Sequence, residues 1–396
     1  MTCALKKRMH IPRHSFLLTA LLFLICSGLT GCSSKETSPE AAVDFSHHLD
    51  GSCITEEECS AYQESILATL LISEKDGALT GTHTGLFSTV VSVTLYDCTD
   101  TELLKGCFSL LAEYETIFSR TLPGSELYAV NHNASGSMEV SAELAELLAL
   151  GLSFREASDG RFDITTAPLS SLWGFSSGTP AVPAPDALKS CLAAVGGENV
   201  VLEGTQLYYP AGTQFDLGAL AKGWLADRAA AYLKEHGIKS ALINLGGNTL
   251  ALGSKPDESA YRIGIAMPFS PAELAGVLTI KDKSVVTSGI YERFFVEDGM
   301  LYHHILDAAT GYPVRNNLLS VTIVCESSVL ADLLSTICFL LGADDGLAFI
   351  EELSAGIEIH ALFLSGSYDP ETQTVTGPEY LFSKGFQEAT GFRFSP

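Results

Sequence analysis

The chain has 396 residues, a formal net charge of −24 at pH 7 and 46% hydrophobic residues. A strongly acidic protein repels phosphate backbones, which excludes nucleic acid as a natural partner. A phosphate-bearing substrate would therefore need a cation and a dedicated basic residue. The length and apolar content are sufficient to bury a large core.

Residues 1–31 have the pattern of a bacterial lipoprotein signal peptide. Four basic residues precede an apolar run over 16–25, and the sequence Leu-Thr-Gly-Cys ends at Cys32 in the manner of a lipobox. We expect cleavage before Cys32, lipidation of its thiol and anchoring at the extracytoplasmic face of the cell membrane. The alternative, a permanent transmembrane anchor, would need ~20 apolar residues.

Residues 32–84 are interpreted as a tether and N-terminal segment, and residues 85–396 as a folded domain. The tether begins with a stretch rich in Ser, Glu, Pro and Ala. Seven cysteines follow Cys32, an odd number, so at least one stays free or pairs with another molecule. Cys53 and Cys59 could close a small loop, Cys338 lies in an apolar run typical of a core, and no cysteine spacing indicates a zinc-thiolate site.

Apolar periodicity predicts interleaved helices and strands over residues 85–396. Helices are predicted at 101–118, 142–158, 217–236 and 329–353, the last with a break near Gly342. Strands are predicted at 86–96, 240–245, 261–267, 284–289, 301–306, 318–324, 357–364 and 374–382. The mixture indicates an α+β fold with mixed sheets flanked by helices.

Five segments in this region resemble one known family in their order and spacing. They are FSRTLPGSELYAVN from Phe118, FDITTAPLSSLWGF from Phe162, DLGALAKGWLADRAAAYL with INLGGN from Asp216, SVVTSGIYERFF with HHILDAATGYPV from Ser284, and ADLLST from Ala331. The family is that of the ApbE Mg²⁺-dependent FAD:protein FMN transferases. The resemblance implies an ApbE-like fold that splits the FAD pyrophosphate, releases AMP and esterifies FMN to a threonine or serine of a target flavoprotein.

Asp332 and Thr336 are the candidate metal ligands. They lie four residues apart on a predicted helix, so the carboxylate and the hydroxyl share one face. Mg²⁺ prefers oxygen ligands and offsets phosphate charge. The resemblance adds the backbone carbonyl of Ala219 as a further ligand. The alternative is structural, with Asp332 as a helix N-cap and Thr336 as a satisfied internal hydroxyl.

Asp216 and Lys222 are candidates for binding FAD. The Lys222 ammonium could balance the pyrophosphate charge, and the resemblance implies that Asp216 binds a flavin or ribose donor group. Alternatively, Asp216 is an N-cap and Lys222 a surface residue of an ordinary helix, and the INLGGN segment is only a tight connection between strands. The resemblance also implies that further residues line the flavin: Asp163, Thr287, Gly289 and Leu306.

His304 is the candidate general base, because only histidine has an unperturbed pKa near neutrality. It would take the proton of the acceptor hydroxyl as that oxygen attacks the FMN phosphorus. His303 should face the opposite way in a strand, and Asp307 should shape the turn that follows or orient the site. The alternative for His304 is a buried structural histidine. In the family an aromatic residue that stacks on adenine stands where this chain has Thr121.

Two other functions share these residues. An FAD pyrophosphatase would give FMN to water, and a non-catalytic flavin-binding lipoprotein would only hold the ligand. The retention of Lys222, His304 and the Asp332/Thr336 pair favours an enzyme. The acceptor implied by the resemblance is a flavoprotein of a membrane or extracytoplasmic electron-transfer system.

Overall fold

The computed structural model describes residues 43–175 and 178–395. The signal peptide and Cys32 lie outside the described residues. Within them, no helix combines the length and the apolar character needed to cross a bilayer.

Helices and strands alternate along most of the described chain. The α-helices are α1 Glu56–Ala68, α2 Thr101–Phe118, α3 Glu126–His132, α4 Ala142–Ala157, α5 Ala167–Trp173, α6 Pro185–Leu192, α7 Ala221–Glu235, α8 Ser328–Leu341, α9 Ala343–Leu353 and α10 Phe386–Thr390. The strands are β1 Leu71–Lys75, β2 Ala78–Thr84, β3 Val90–Leu95, β4 Ser137–Glu139, β5 Val201–Glu203, β6 Gln206–Tyr208, β7 Ser240–Leu245, β8 Asn248–Gly253, β9 Tyr261–Met267, β10 Ser270–Ile280, β11 Lys283–Gly289, β12 Phe294–Glu297, β13 Met300–His303, β14 Leu318–Cys325, β15 Ile359–Asp369, β16 Thr374–Phe382 and β17 Arg393–Phe394.

A nine-stranded sheet in the order β1-β2-β3-β7-β8-β11-β14-β15-β16 forms the centre of the molecule. The α+β class is confirmed. The paired strands of this sheet run antiparallel throughout, rather than in the mixed directions that we expected. Short hairpins join β1 to β2, β7 to β8 and β15 to β16, and strands joined by so short a connection pair antiparallel because a parallel pair needs a long crossover.

The first two strands of this sheet precede the domain boundary predicted at Gly85. β1 pairs with β2, and β2 pairs with β3 with Leu79 opposite Leu95. The predicted strand over 86–96 begins only at Val90, because 86–88 form a 3-10 turn. The backbone N–H of Phe87 donates to Glu115 of α2 at 2.9 Å, which draws this turn onto the helix.

The predicted helices at 217–236 and 329–353 are confirmed with shifted starts. α7 begins at Ala221 because the four residues before it form a turn, in which Asp216 accepts the N–H of Gly218 at 2.9 Å. The expected break in the last helical region falls at Gly342, whose φ of 85° ends α8. Both helices lie on the central sheet, and α8 is buried along nearly its whole length.

The INLGGN segment is the tight connection between β7 and β8. Gly246 and Gly247 have φ angles of 61° and 93°, a left-handed pair that is typical of two-residue hairpins. The side chain of Asn244 accepts the N–H of Gly247 at 3.2 Å and closes the turn.

Candidate active site

The candidate site is built around the contact between α7 and α8. At Gly223 of α7, a Cβ atom would lie 2.3 Å from the carbonyl oxygen of Ser328 and 2.6 Å from Cα of Val329. Only glycine allows the two backbones to approach this closely. The approach lets the Gly223 N–H donate to Oδ2 of Asp332 at 2.9 Å.

One carboxylate oxygen of Asp332 contacts the Gly223 N–H, and the other faces the ammonium of Lys222. Its Oδ1 lies 3.5 Å from Nζ of Lys222, which also donates to the carbonyl of Gly218 at 2.7 Å. The Asp332 residue is only 3% exposed. It is not the N-cap of α8, because Ser327 occupies that position and accepts the N–H of Leu330. The structure therefore brings Lys222 and Asp332 together, and the role of Asp332 as a metal ligand stays a prediction.

Asp227, which the sequence did not indicate, holds α8 in place. Its carboxylate accepts the N–H groups of Ser328 at 2.9 Å and of Val329 at 3.0 Å. A carboxylate is favoured at a helix N-terminus, where unpaired N–H groups and the helix dipole converge. Burial raises the pKa of Asp227 to about 6. The interaction spans about a hundred residues of sequence, so no local pattern could have revealed it.

Thr336 lies against β11. Its Oγ1 is 3.3 Å from Oγ of Ser288, which also bonds to Oγ of Ser335 at 2.7 Å. Alternation along the strand turns Thr287 the other way, where its hydroxyl bonds to Thr322 at 2.8 Å. Ser288 is thus the side chain of this segment that faces α8, and a flavin contact from Thr287 stays a prediction.

The turn before α7 contains Asp216 and Ala219. Asp216 pairs with Nε of Arg120 at 3.2 Å, and Arg120 also donates to Ser171 at 3.1 Å. The α7 N-cap position belongs to Leu220, so Asp216 is not a helix cap. Ala219 is half-buried beside the Gly218 carbonyl that Lys222 contacts. Arg120 was not predicted as a site residue, although its segment carried the family resemblance.

The other flavin-lining candidates have structural partners. Asp163 is buried and accepts from Nε of Arg155 at 2.7 Å, from the N–H of Thr165 at 2.8 Å and from the N–H of Gly197 at 3.0 Å. These bonds fix the loop that carries it. A direct contact from Asp163 to a ligand remains a prediction.

Gly289 and Leu306 pack closely against aromatic residues. A Cβ atom at Gly289 would lie 2.4 Å from the Tyr291 ring, so a larger residue there would have to displace this ring. Leu306 is in a small apolar cluster with Trp173, whose indole donates to the carbonyl of Gly311 at 2.7 Å. Their roles in binding flavin stay predictions.

His304 follows β13 and has a fixed ring orientation. Its backbone N–H and its ring Nδ1 both lie within hydrogen-bond distance of the Arg293 carbonyl, at 3.1 and 3.3 Å. A proton on Nδ1 would donate to that carbonyl and leave Nε2 as the free base. Burial, followed by the Arg293 charge, lowers the pKa of His304 to about 3, so the ring is neutral at neutral pH.

His303 and Asp307 flank His304 in the sequence and contact different backbone groups. His303 is buried, and its Nε2 lies 3.1 Å from the carbonyl of Val314, whereas the His304 ring contacts the carbonyl of Arg293. Asp307 accepts the N–H of Ala309 at 2.8 Å, and its own carbonyl accepts the N–H of Gly311 at 2.7 Å. The turn-shaping role predicted for Asp307 is confirmed.

Glu292 is a second acid near the site that the sequence did not indicate. The residue is exposed, but desolvation of its carboxyl raises the pKa to about 7, while the Lys222 charge lowers that pKa and the Asp332 charge raises it. Lys222 also lowers the pKa of His304. The Lys222 ammonium therefore pairs with Asp332 at 3.5 Å and also influences the pKa values of Glu292 and His304.

Comparison with known proteins agrees with this geometry. The ApbE family model matches residues 87–361. The chain is 38% identical over 279 residues to the FAD:protein FMN transferase of Treponema pallidum (strain Nichols). This alignment covers 66% of this chain and 76% of the relative. It is 36% identical over 276 residues to that of Klebsiella pneumoniae (strain 342), with 68% and 84% covered.

A solved structure also has the same fold. The apo form of the Pseudomonas stutzeri flavinyl transferase ApbE superimposes with a TM-score of 0.68 at 28% identity, covering 81% of this chain and 98% of the solved one. With the family model matching well over half of its residues, this chain belongs to the ApbE family.

Proposed function

We propose that the chain transfers FMN from FAD to a threonine or serine hydroxyl of a target flavoprotein in an Mg²⁺-dependent reaction. The acceptor oxygen forms a bond to the FMN phosphorus, and the bond from that phosphorus to the bridging oxygen breaks. AMP leaves with the electron pair, and the hydroxyl proton passes to a base. The relatives at 36–38% identity carry the name FAD:protein FMN transferase.

One observation carries the proposal, namely the junction of Lys222 and Asp332 on two helices that touch at a glycine. Nζ of Lys222 and Oδ1 of Asp332 are 3.5 Å apart in a chain whose net charge would otherwise repel a pyrophosphate. A fixed ammonium beside a buried carboxylate is suited to hold an anion and a cation at one place.

The donor atoms at this junction fit Mg²⁺. The Asp332 carboxylate, the Thr336 hydroxyl and the Ala219 carbonyl are all oxygen ligands, which this hard cation prefers. Bound there, Mg²⁺ would offset the negative charge of the phosphate oxygens. Asp227 and the Gly223 N–H hold the helix and the carboxylate of this set in position.

Lys222 would contact the pyrophosphate oxygens directly. Its bond to the Gly218 carbonyl at 2.7 Å directs the ammonium towards the turn that holds Asp216 and Ala219. Asp216, already paired with Arg120, would orient a donor group of the ribose or the flavin. Asp163, Thr287, Gly289 and Leu306 would shape the flavin side of the pocket.

His304 would act as the general base. Its ring is neutral at neutral pH because burial lowers its pKa, and a proton on Nδ1 leaves Nε2 available to accept another. The residue as a whole is half-buried, just after the end of β13. An acceptor side chain can therefore reach it from outside the protein.

The test is to incubate the purified chain with FAD, Mg²⁺ and a candidate acceptor, then measure AMP release and the mass of the acceptor. Transfer predicts an acceptor heavier by one FMN with equimolar AMP. AMP with an unmodified acceptor would identify a pyrophosphatase, and no AMP would identify a flavin-binding protein. An Asp344→Asn variant, changed on the exposed first turn of α9, provides a matched control.

The remaining part of the proposal concerns location. Lipidation of Cys32 would anchor the enzyme at the extracytoplasmic face of the membrane, next to acceptor flavoproteins of electron-transfer systems. A Cys32→Ser variant should incorporate no labelled fatty acid and should leave the membrane fraction. Labelling of that variant at the wild-type level would contradict the lipoprotein interpretation.

A further inference from the structure

A second cluster of ligand-type side chains lies outside the active site, in the segment that precedes the family match. Nε2 of His47 and Nε2 of His48 lie 2.6 and 3.1 Å from the same Glu58 oxygen, Oε1. The three potential ligand atoms all lie within 4.8 Å of one another. Over 43–175 and 178–395, no other group of at least three His, Cys, Asp or Glu side chains converges in this way.

The hydrogen bonds around a neutral His48 ring leave its Nε2 atom, which faces Glu58, without a proton to donate. The Ser52 hydroxyl donates to Oδ1 of Asp50 at 2.7 Å, so its oxygen must accept the proton of Nδ1 of His48, 2.8 Å away. A neutral His48 ring then presents the lone pair of Nε2 to Oε1 of Glu58. Two acceptors facing each other repel, unless a cation lies between them or the ring is protonated.

A bound metal ion resolves this conflict without a charge on either ring. The His47 and His48 rings are only 4.1 Å apart, so two imidazolium charges would repel each other. His48 is 5% exposed, and burial of a charge is costly. A metal ion between the rings and the carboxylate would satisfy all three ligands at once.

We propose that His47, His48 and Glu58 bind a divalent transition-metal ion, with Zn²⁺ the best fit. Zinc takes imidazole nitrogen and carboxylate oxygen at about 2.0–2.2 Å in tetrahedral geometry, which places ligand atoms about 3.4 Å apart. The separation of 3.1 Å at His48 is already close to that value. The His47 side chain is 58% exposed and is free to open by the small distance required.

The outer contacts of the cluster have the form that metal sites use to orient their ligands. Ser52 and Asp50 fix the His48 ring from its far nitrogen. The second Glu58 oxygen accepts the N–H of Thr55 at 2.6 Å and its hydroxyl at 2.9 Å, within the capping box of α1. The first Glu58 oxygen is therefore held towards the histidines.

The site would fasten the N-terminal segment to the loop that carries Arg120. The N–H of Ile54 donates to the carbonyl of Gly124 at 2.9 Å, and a Cβ atom at Gly124 would lie 2.8 Å from the His48 ring. Arg120, in the same loop, pairs with Asp216 of the active site. Metal binding would thus stabilise the outer wall of the FAD site without touching the substrate.

The test is zinc uptake by the full chain, dialysed against Zn²⁺ in excess Mg²⁺ and analysed for bound metal. We expect one equivalent of zinc in the wild type and its loss in Glu58→Gln, which keeps the capping box because glutamine also serves there. Glu57→Gln, on the same exposed turn, is the matched control and should bind as the wild type does. Ser52→Ala should weaken binding by ~10- to 100-fold.

Cobalt identifies the ligands independently. Co²⁺ bound at this site should give a visible spectrum without an intense sulfur-to-metal band, whereas such a band would assign the metal to a cysteine and overturn the proposal. Equal zinc uptake by the wild type and Glu58→Gln would also overturn it. So would a wild-type chain that takes up no zinc at pH 7, which would leave the contacts of His47 and His48 with Glu58 as hydrogen bonds alone.

Discussion

The two halves of the candidate active site differ in how firmly the fold holds them. In one half, Lys222, Gly223 and Asp332 lie at the α7–α8 contact, and Asp227 fixes the start of α8. In the other half, Glu292 and His304 lie at the ends of the β12–β13 hairpin, where the surface is open. The α7–α8 contact is thus preorganised to hold a ligand in one position. The hairpin half stays accessible to an acceptor protein that approaches from solvent.

The largest effect should come from breaking the junction at Asp332. Asp332→Asn keeps an oxygen for the Gly223 N–H but loses the negative charge that faces Lys222. A bound ion supplies several kcal/mol of charge stabilisation, so kcat should fall by ~10,000-fold. The measurement is AMP release at increasing Mg²⁺, with Asp344→Asn as control.

A loss of melting temperature that explains the loss of activity would contradict the Asp332 prediction. Thermal unfolding of both variants should be measured beside their kinetics. Because Asn fits the same space and accepts the same N–H, we expect the melting temperature to change little. Full activity of Asp332→Asn at ordinary Mg²⁺ would exclude this carboxylate as a ligand.

The hairpin half is tested by His304→Ala. Loss of a general base should lower FMN transfer by ~100- to 10,000-fold. Binding of FAD should persist, because the phosphate contacts come from the junction. FAD titration by flavin fluorescence and acceptor mass at fixed times measure the two effects, and His236→Ala, on the exposed end of α7, is the control. Normal transfer by His304→Ala would leave the ring a structural role.

The pH dependence of the wild type sharpens this assignment. The pKa of His304 is lowered to about 3, and a lowered pKa keeps the ring neutral, and thus competent as a base, to lower pH. Between pH 7 and 5 protonation of His304 should therefore leave the transfer rate at saturating FAD unchanged, and any change in this range belongs to Glu292, whose pKa desolvation raises to about 7. A histidine with an unperturbed pKa near 6.5 would instead lose about 30-fold by pH 5. A fall of that size, absent in His304→Ala, would contradict the buried environment.

The part of the site within single elements was predictable from sequence. Asp332 and Thr336 share a helix because their spacing is fixed by the helical repeat, and Gly342 ends that helix because it adopts a positive φ. The facing of Ser288 rather than Thr287 towards α8 was not predictable, because a one-residue shift in strand register reverses it.

Contacts between distant segments were beyond the sequence. Asp227 reaches the start of α8 only after α7 has packed on it, and β1 joins the sheet only through the register of β2. The pKa of Glu292 responds to the charges of Lys222 and Asp332, which lie on other elements. Such relations depend on tertiary packing, which no local periodicity encodes.

A smaller effect is expected from overpacking the junction with Gly223→Ala. The added methyl would meet the backbone of Ser328 at 2.3 Å, which cannot move as a flexible side chain can. Overpacking costs about 1–3 kcal/mol, which should lower the free energy of unfolding by that amount. Gly356→Ala, where the nearest atom is 4.0 Å away, should leave it nearly unchanged in urea unfolding. Equal stability of the two variants would show that α7 and α8 can separate without cost.

The smallest effect concerns adenine, at the edge of the site where the family resemblance places an aromatic residue and this chain has Thr121. Thr121 is exposed in the loop that carries Arg120, so a larger side chain has room there. An aromatic ring stacked on adenine contributes about 0.5–1.5 kcal/mol beyond the area it buries, so Thr121→Tyr should tighten FAD binding by ~2- to 10-fold. FMN has no adenine, and its affinity should stay the same.

Flavin fluorescence titrations of both proteins with FAD and with FMN measure this difference. Tighter binding of both flavins to an equal degree would show that residue 121 contacts the flavin side of the ligand, and unchanged binding of both would place adenine away from this loop.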